Sequence, residues 1–181
     1  MERPRWHEAL AYAGRVHAGQ TRRDGRTPYA AHVSRVTLIV AAEFGCTDGE
    51  VLAAAALHDT IEDTPADYDD IESRFGDAVA ALVAALSKDM TRPYKDREAA
   101  YEAALKAGDW RVKLIKLADT LDNLRDRTGD GVSEGRARRA LDRARTAIEL
   151  AQADAGAGED PLRTAIRVVA AAAERAADAG P

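Results

Sequence analysis

Cysteine is almost missing from this 181-residue chain: Cys46 stands alone. That excludes an internal disulfide framework and a zinc site built on thiolates, and it fits a reducing compartment. Aromatic residues make up only 5% of the chain, so the core must come largely from Ala, Leu, Val and Ile, a composition that favours close-packed helices. Long hydrophobic runs are also lacking, and none approaches the ~18 residues that a membrane span requires. The opening Met1-Glu2-Arg3-Pro4-Arg5-Trp6-His7 has no apolar stretch of the kind found in secretory signals, and a cytoplasmic protein is expected. Nor is there an excess of positive charge. Lys and Arg number 26 against 31 Asp and Glu, a net charge of −5, which argues against a broad basic surface for nucleic acid.

What is present reads as helix. The length suits one domain on the prior of roughly 100–200 residues per domain. Apolar residues recur with a 3.6-residue period at Trp6, Leu10, Ala13 and Val16. A Gly/Pro-punctuated loop follows over residues 20–29, then a helix from Tyr29 to Phe44 that Gly45 stops. Thr47 and Glu50 have the form of a capping box opening a helix from Val51 to Asp63. Thr64-Pro65 has the form of another helix start, with an end near Phe75-Gly76 and a short apolar helix after it over residues 78–87. Residues 88–98 are charged and read as an exposed loop, with a helix beyond to Ala107. Asp109 caps a long amphipathic helix through Arg125. A Gly-containing connection over residues 128–135 leads to two Ala/Arg-rich helices, which Gly156, Gly158 and Asp160-Pro161 separate. The fold class is all-α.

The chemistry-bearing residues cluster. There are four histidines, His7, His17, His32 and His58. His58-Asp59 and Glu62-Asp63 stand at i, i+1, i+4 and i+5 at the end of the apolar run Val51–Leu57, where polar groups are costly unless paired or bound to a metal. A solvated helix end accounts for the same spacing, and both readings stay open on these residues alone. Asp119 and Asn123, four apart, flank the stripe Leu114, Leu117, Leu121 and Leu124; they face either a cleft or water. Taken together, His32, His58, Asp59 and Asp119 offer two imidazole nitrogens and two carboxylate oxygens from three helices. That donor set suits Mn²⁺ or Fe²⁺ better than zinc.

The order His32, His58-Asp59, Asp119 resembles the ligand order of the HD-domain metal-dependent phosphohydrolases. The flanking blocks narrow the resemblance to the RelA/SpoT-type hydrolase domain: His17 to His32, His58-Asp59-Thr60-Ile61-Glu62-Asp63-Thr64, Phe75-Gly76 with Leu82-Val83, and Lys116 to Arg125. They cover roughly residues 5–128 in the right order. The chain is too short for further synthetase and regulatory domains, so it resembles the stand-alone small alarmone hydrolases.

That resemblance implies a single all-α HD-type domain over residues 1–181, with a core at about 5–128 and C-terminal helices at about 135–178 packed on it. It implies a Mn²⁺-dependent (p)ppGpp 3′-pyrophosphohydrolase that releases pyrophosphate and GDP or GTP from the stringent-response alarmone. The ligands implied are His32, His58, Asp59 and Asp119. Glu62 and Asp63 match the acidic pair that positions and activates water. Arg22, Arg23 and Asn123 match substrate-binding positions, and Lys95 and Arg97 lie in a segment resembling the pocket rim. The chain departs from the family pattern at Val33, where Pro is common, at Thr120, where a basic residue is, and at Asp122, where an aromatic residue or His is. An HD-type phosphatase for another nucleotide (NADPH or a 5′-nucleotide) keeps the tetrad without the guanine-binding loop. A catalytically silent nucleotide-binding regulator has no use for Glu62 and Asp63.

Other residues are expected to be structural. His17 reads as a helix-end histidine, His7 as exposed and Cys46 as half-buried. Trp6, Trp110 and Tyr101 read as core anchors, while Tyr29 fits either a core or a site role. Lys88, Lys113 and Lys116 read as solvated. The C-terminal Arg136, Arg138, Arg139, Arg143 and Arg145 interleave with acids and apolar positions, which fits packing or a homodimer surface rather than nucleic acid.

Overall fold

The computed structural model describes residues 4–126, 133–155 and 160–178. Among them no β-strand occurs, only an isolated bridge between Thr21 and Pro28, and the fold is all-α. The elements are α1 (Arg5–Val16), α2 (Tyr29–Leu38) with a π-helical extension (Ile39–Glu43), α3 (Gly49–Leu57), α4 (Thr60–Asp63), α5 (Tyr68–Phe75) and α6 (Asp77–Leu86). The chain continues through α7 (Tyr94–Ala107), α8 (Trp110–Arg125), α9 (Glu134–Gln152) and α10 (Asp160–Asp178). Most of the connection expected over 128–135, the expected core limit at 128, and Gly156 and Gly158 lie outside the described residues. No described helix is long and apolar enough to cross a membrane.

Local chemistry explains where the helices begin. Asp48, not Thr47, caps α3, because its carboxylate accepts from the amides of Glu50 (2.8 Å) and Val51 (3.3 Å). Asp67, not Thr64, opens α5, in a reciprocal box with Asp70. Thr64 closes the preceding turn instead, its hydroxyl donating to the Thr60 carbonyl at 2.7 Å. Asp109 caps α8 as expected, accepting from the Arg111 amide.

Two expected helices are interrupted. The one expected from Tyr29 to Phe44 widens after Leu38, and the Phe44 amide reaches five residues back to the Ile39 carbonyl at 2.9 Å. The one expected from Val51 to Asp63 breaks at His58-Asp59. Nδ1 of His58 donates to the Ala55 carbonyl at 2.9 Å, the acceptor that serves the Asp59 amide in an uninterrupted helix.

α3 is buried all round, from Val51 to Leu57. It packs among α1, α2 and α6, and also touches α8. α8 lies between α2, α3 and α6 on one side and α9 and α10 on the other. The last two helices bury Ala140, Ala144, Ala147, Ala151, Leu162, Ala165 and Val169 and turn Arg136, Arg138, Arg139, Arg143 and Arg145 to the surface. Lys113, read as solvated, is buried: its ammonium donates to the Gly108 carbonyl at 2.7 Å and pairs with Asp154. Cys46 is fully rather than half-buried. Near the end of α8, Arg125 forms a two-pronged ion pair with Glu43, both bonds 2.7 Å.

Candidate active site

α2, the broken end of α3 and the middle of α8 converge on one point. Nε2 of His32 lies 3.3 Å from Oδ2 of Asp59 and 3.4 Å from Oδ1 of Asp119. Nε2 of His58 lies 3.1 Å and 3.8 Å from the same two oxygens. Donor atoms of His32, His58 and Asp59 all lie within 4.8 Å of one another. The break after α3 allows this, since it lets His58 and the next residue, Asp59, aim at one centre.

The far side of each ring sets its proton. Nδ1–H of His58 donates to the Ala55 carbonyl, and Nδ1–H of His32 donates to Oδ2 of Asp122 at 2.6 Å. In the neutral form of each ring Nε2 therefore presents a lone pair, and both Nε2 atoms are buried without a hydrogen-bond partner among the described residues. Two orphaned imidazole nitrogens facing two carboxylate oxygens form a donor set that fits a divalent cation. The field agrees with that fit. Burial works against charge on His32, yet Asp119, Asp122 and Asp59 push it up to about 9. Burial also disfavours charge on Asp59 and Asp119, but neighbouring His58 holds the first below the ordinary carboxylate range and Lys116 the second.

Beside this cluster opens a cleft of about 280 Å³. Glu62 and Asp63, on α4, line it. Oε2 of Glu62 accepts from the Lys88 amide at 2.9 Å, which leaves the other oxygen to the cleft. Burial, then the negative charge of Asp59, raises both carboxyls above their usual range. The Tyr29 hydroxyl, whose role was open, sits 2.6 Å from Oδ2 of Asp59 and 3.1 Å from Oδ2 of Asp63 and bridges them. His17 is buried and stacks on Tyr29 at 4.9 Å. Its Nδ1–H donates to Gln20, whose amide holds the Asp63 carbonyl, both at 2.7 Å.

The basic groups divide into pinned and free. In the turn between α1 and α2, Asp24 accepts from the amides of Arg26 and Thr27, and Gly25 takes the positive φ of 69° that closes it. Arg22 is pinned, donating to Asp126 at 2.9 Å and Asn123 at 3.0 Å over the face of Tyr29. Arg23 is exposed, lines the cleft and has no ion pair among the described residues. Lys116, Asp119 and Asn123 share one face of α8; Lys116 pairs with Oδ2 of Asp119 at 2.9 Å, and Asn123 donates to Oδ1.

Lys95 and Arg97 do not reach this wall. The inward face of α7 is Glu98, Tyr101, Glu102 and Leu105, which line a second cavity of about 420 Å³ opening beside the first. Lys95 sits about a turn before that face, exposed. Arg97 lies off it, with its guanidinium over the Tyr94 ring at 5.5 Å. Lys88, Tyr101 and Lys116 stand in the cleft wall instead, both ammoniums over the Tyr101 ring. The i, i+3, i+7 spacing of Lys116, Asp119 and Asn123 is the sequence signal that places Lys116 there.

A family model described as an HD domain matches residues 9–148. The chain belongs to the HD-domain family. The HD match takes in α2, α3 and α8, and so all four converging donors. Among HD relatives, the guanosine-3′,5′-bis(diphosphate) 3′-pyrophosphohydrolase MESH1 of Drosophila melanogaster is 43% identical over 120 residues, 66% of this chain and 67% of that protein. The bifunctional (p)ppGpp synthase/hydrolase SpoT of Escherichia coli (strain K12) is 42% identical over 127 residues, 67% of this HD chain and 18% of SpoT. A solved structure described as a metazoan ortholog of SpoT that hydrolyses ppGpp and plays a role in starvation responses superposes with a TM-score of 0.77. It shares 32% identity and covers 93% of this chain and 95% of its own.

Proposed function

We propose that this chain is a Mn²⁺-dependent guanosine-3′,5′-bis(diphosphate) 3′-pyrophosphohydrolase, taking (p)ppGpp to GDP or GTP and pyrophosphate. The observation that carries the reading is the convergence of two orphaned imidazole nitrogens and two carboxylates in a chain 43% identical to a protein of that name.

His32, His58, Asp59 and Asp119 would hold the cation. When bound, it supplies Lewis acidity toward a phosphoryl oxygen and a lowered pKa for water. The chain's own residues do the rest. The free oxygen of Glu62, in a carboxyl raised by burial, takes the proton of the attacking water. Asp63, held by Tyr29 and through its carbonyl by Gln20, fixes the geometry on that side. Pinned Arg22 meets the polyphosphate in a fixed orientation, while Arg23, Lys88 and Lys116 focus positive potential within an otherwise acidic protein. Asn123, which lines the cleft and donates to Asp119, would contact the nucleotide. Lys95 and Arg97, outside the cleft wall, enter the proposal only as outer contacts of a long anionic substrate.

The domain reading is one HD unit over residues 1–181, with α9 and α10 packed on α8. A cytoplasmic location, which fits a lone buried cysteine, and a homodimer complete the proposal; light scattering tests the dimer.

The deciding experiment mixes metal-stripped protein with ppGpp, with and without Mn²⁺, and resolves the products. GDP and pyrophosphate formed only with Mn²⁺ are expected. Bound but unchanged nucleotide overturns the enzyme in favour of a silent regulator. Neither binding nor turnover moves the substrate to NADPH or a 5′-nucleotide.

A further inference from the structure

One buried carboxylate next to the cluster has no part in the reading above. Asp122 lies on α8, nearly one turn beyond Asp119, and is 2% exposed. Its Oδ2 accepts from Nδ1–H of His32 at 2.6 Å and from Nη2 of Arg35 at 2.9 Å, while Oδ1 accepts from Nε of Arg35. Arg35 stands three residues after His32 on α2, so one helix supplies both the ring and the guanidinium that brace the carboxylate between them. The two-pronged Arg35 grip leaves Asp122 one orientation.

An imidazole has two nitrogens and can also turn over about its χ2 axis, so a histidine can offer a lone pair, an N–H or a C–H to the same point. At His58 the choice is made by the backbone, through the Ala55 carbonyl. α2 runs on past His32, and the choice there is made by a charged side chain from another helix. A carboxylate behind the ring also draws electron density toward Nε2 more strongly than a carbonyl does, which makes that nitrogen the better cation donor. An Arg–Asp pair whose guanidinium is 38% exposed is a weak source of net stability, so strapping α2 to α8 is a poor reason for it to be there.

We propose that Asp122, braced by Arg35, is the positioning residue of His32: it fixes the ring's rotation and its Nδ1–H form so that Nε2 faces the cation. The inference rests on the divalent-cation reading of the cluster, and its test separates the two. Mn²⁺ is titrated calorimetrically into metal-stripped full-length protein, and thermal melting of each variant is followed alongside. Wild type is expected to bind Mn²⁺. Asp122→Asn, whose amide oxygen can still accept from Nδ1–H but carries no charge, should bind about 10-fold more weakly, and Asp122→Ala about 100-fold. Asp126→Asn, which removes the other acidic partner of Arg35, should stay within about twofold of wild type, because it leaves the His32 contact in place. If Asp122→Ala fails to fold, Asp122→Asn carries the test. A folded Asp122→Asn that binds Mn²⁺ as tightly as wild type overturns the inference and leaves the cation reading standing, whatever its melting temperature. Wild type that takes up no Mn²⁺ overturns both.

Discussion

α3 and α8 both run through the middle of the molecule, and they deliver the candidate ligands in opposite ways. α3 carries no ionisable side chain from Val51 to Leu57 and buries every one of those residues. It hands over His58 and Asp59 by ending. α8 does not end: it continues for 16 residues and holds Lys116, Asp119, Asp122 and Asn123 in mid-helix, each with a named partner. A helix that stops can release polar groups into a cleft as the chain leaves the core. A helix that passes through must satisfy each buried polar group with another side chain. The buried run of α3 therefore rests on packing alone, and that of α8 on packing plus a network.

The largest effect expected is at the α8 ligand. Asp119→Ala should abolish Mn²⁺ binding and turnover, and Mn²⁺ uptake by a folded variant would remove Asp119 from the ligand set. Beyond the end of α3, Glu62→Gln should cut kcat by about 10²–10⁴-fold while calorimetry finds Mn²⁺ affinity unchanged; equal loss of both would strip Glu62 of its role as base. Packing comes next. Leu57→Ala in α3 and Leu121→Ala in α8, both fully buried, should each cost about 2–5 kcal/mol in denaturant unfolding. Comparable losses would place the contrast between the helices in the polar network, and a far smaller loss at Leu57 would break it.

The smallest effects are at the caps. Asp48→Ala for α3 and Asp109→Ala for α8 should each cost about 1 kcal/mol. Burial works against the Asp109 carboxylate, but its hydrogen bonds with Arg111 hold it below the ordinary range. Its contribution is thus present above the unfolded value of about 3.9 and is lost as pH falls through the lower folded value. The gap between wild type and Asp109→Ala should close on acidification, and a gap independent of pH would assign the loss to something other than the charged cap.

The same contrast explains what was legible in the residues themselves. His58, Asp59, Glu62 and Asp63 announce themselves because they follow an apolar run with no other polar group in it, although the break that aims them is invisible to helical spacing. It depends on one side chain competing for one carbonyl. Asp119 and Asn123 were legible as a pair beside a leucine stripe. Asp122 was legible only as a departure, because its partners His32 and Arg35 lie 90 and 87 residues away. Lys116 was read as solvated because what decides it is a cleft that only the folded chain forms; Tyr101 packs against the core as read and lines that cleft as well. The caps at Asp48 and Asp67 missed by one and three residues, since several neighbouring Thr and Asp residues can all accept from a first turn.

The ion pairs along the C-terminal half of α8 have a consequence in time. Arg22, in the cleft wall, reaches Asp126 across 104 residues and Arg125 reaches Glu43 across 82, so the end of α8 is stitched to much earlier parts of the chain. During synthesis the chain emerges N-terminus first, and both imidazoles and Asp59 are made well before any residue of α8. Such distant contacts return nothing until a long loop has closed. The centre thus cannot assemble before α8 has docked, and Mn²⁺ uptake during refolding is expected to follow burial of α3 rather than to nucleate it. In kinetic terms, competence to bind the cation reports that α8 has docked on α2 and α3.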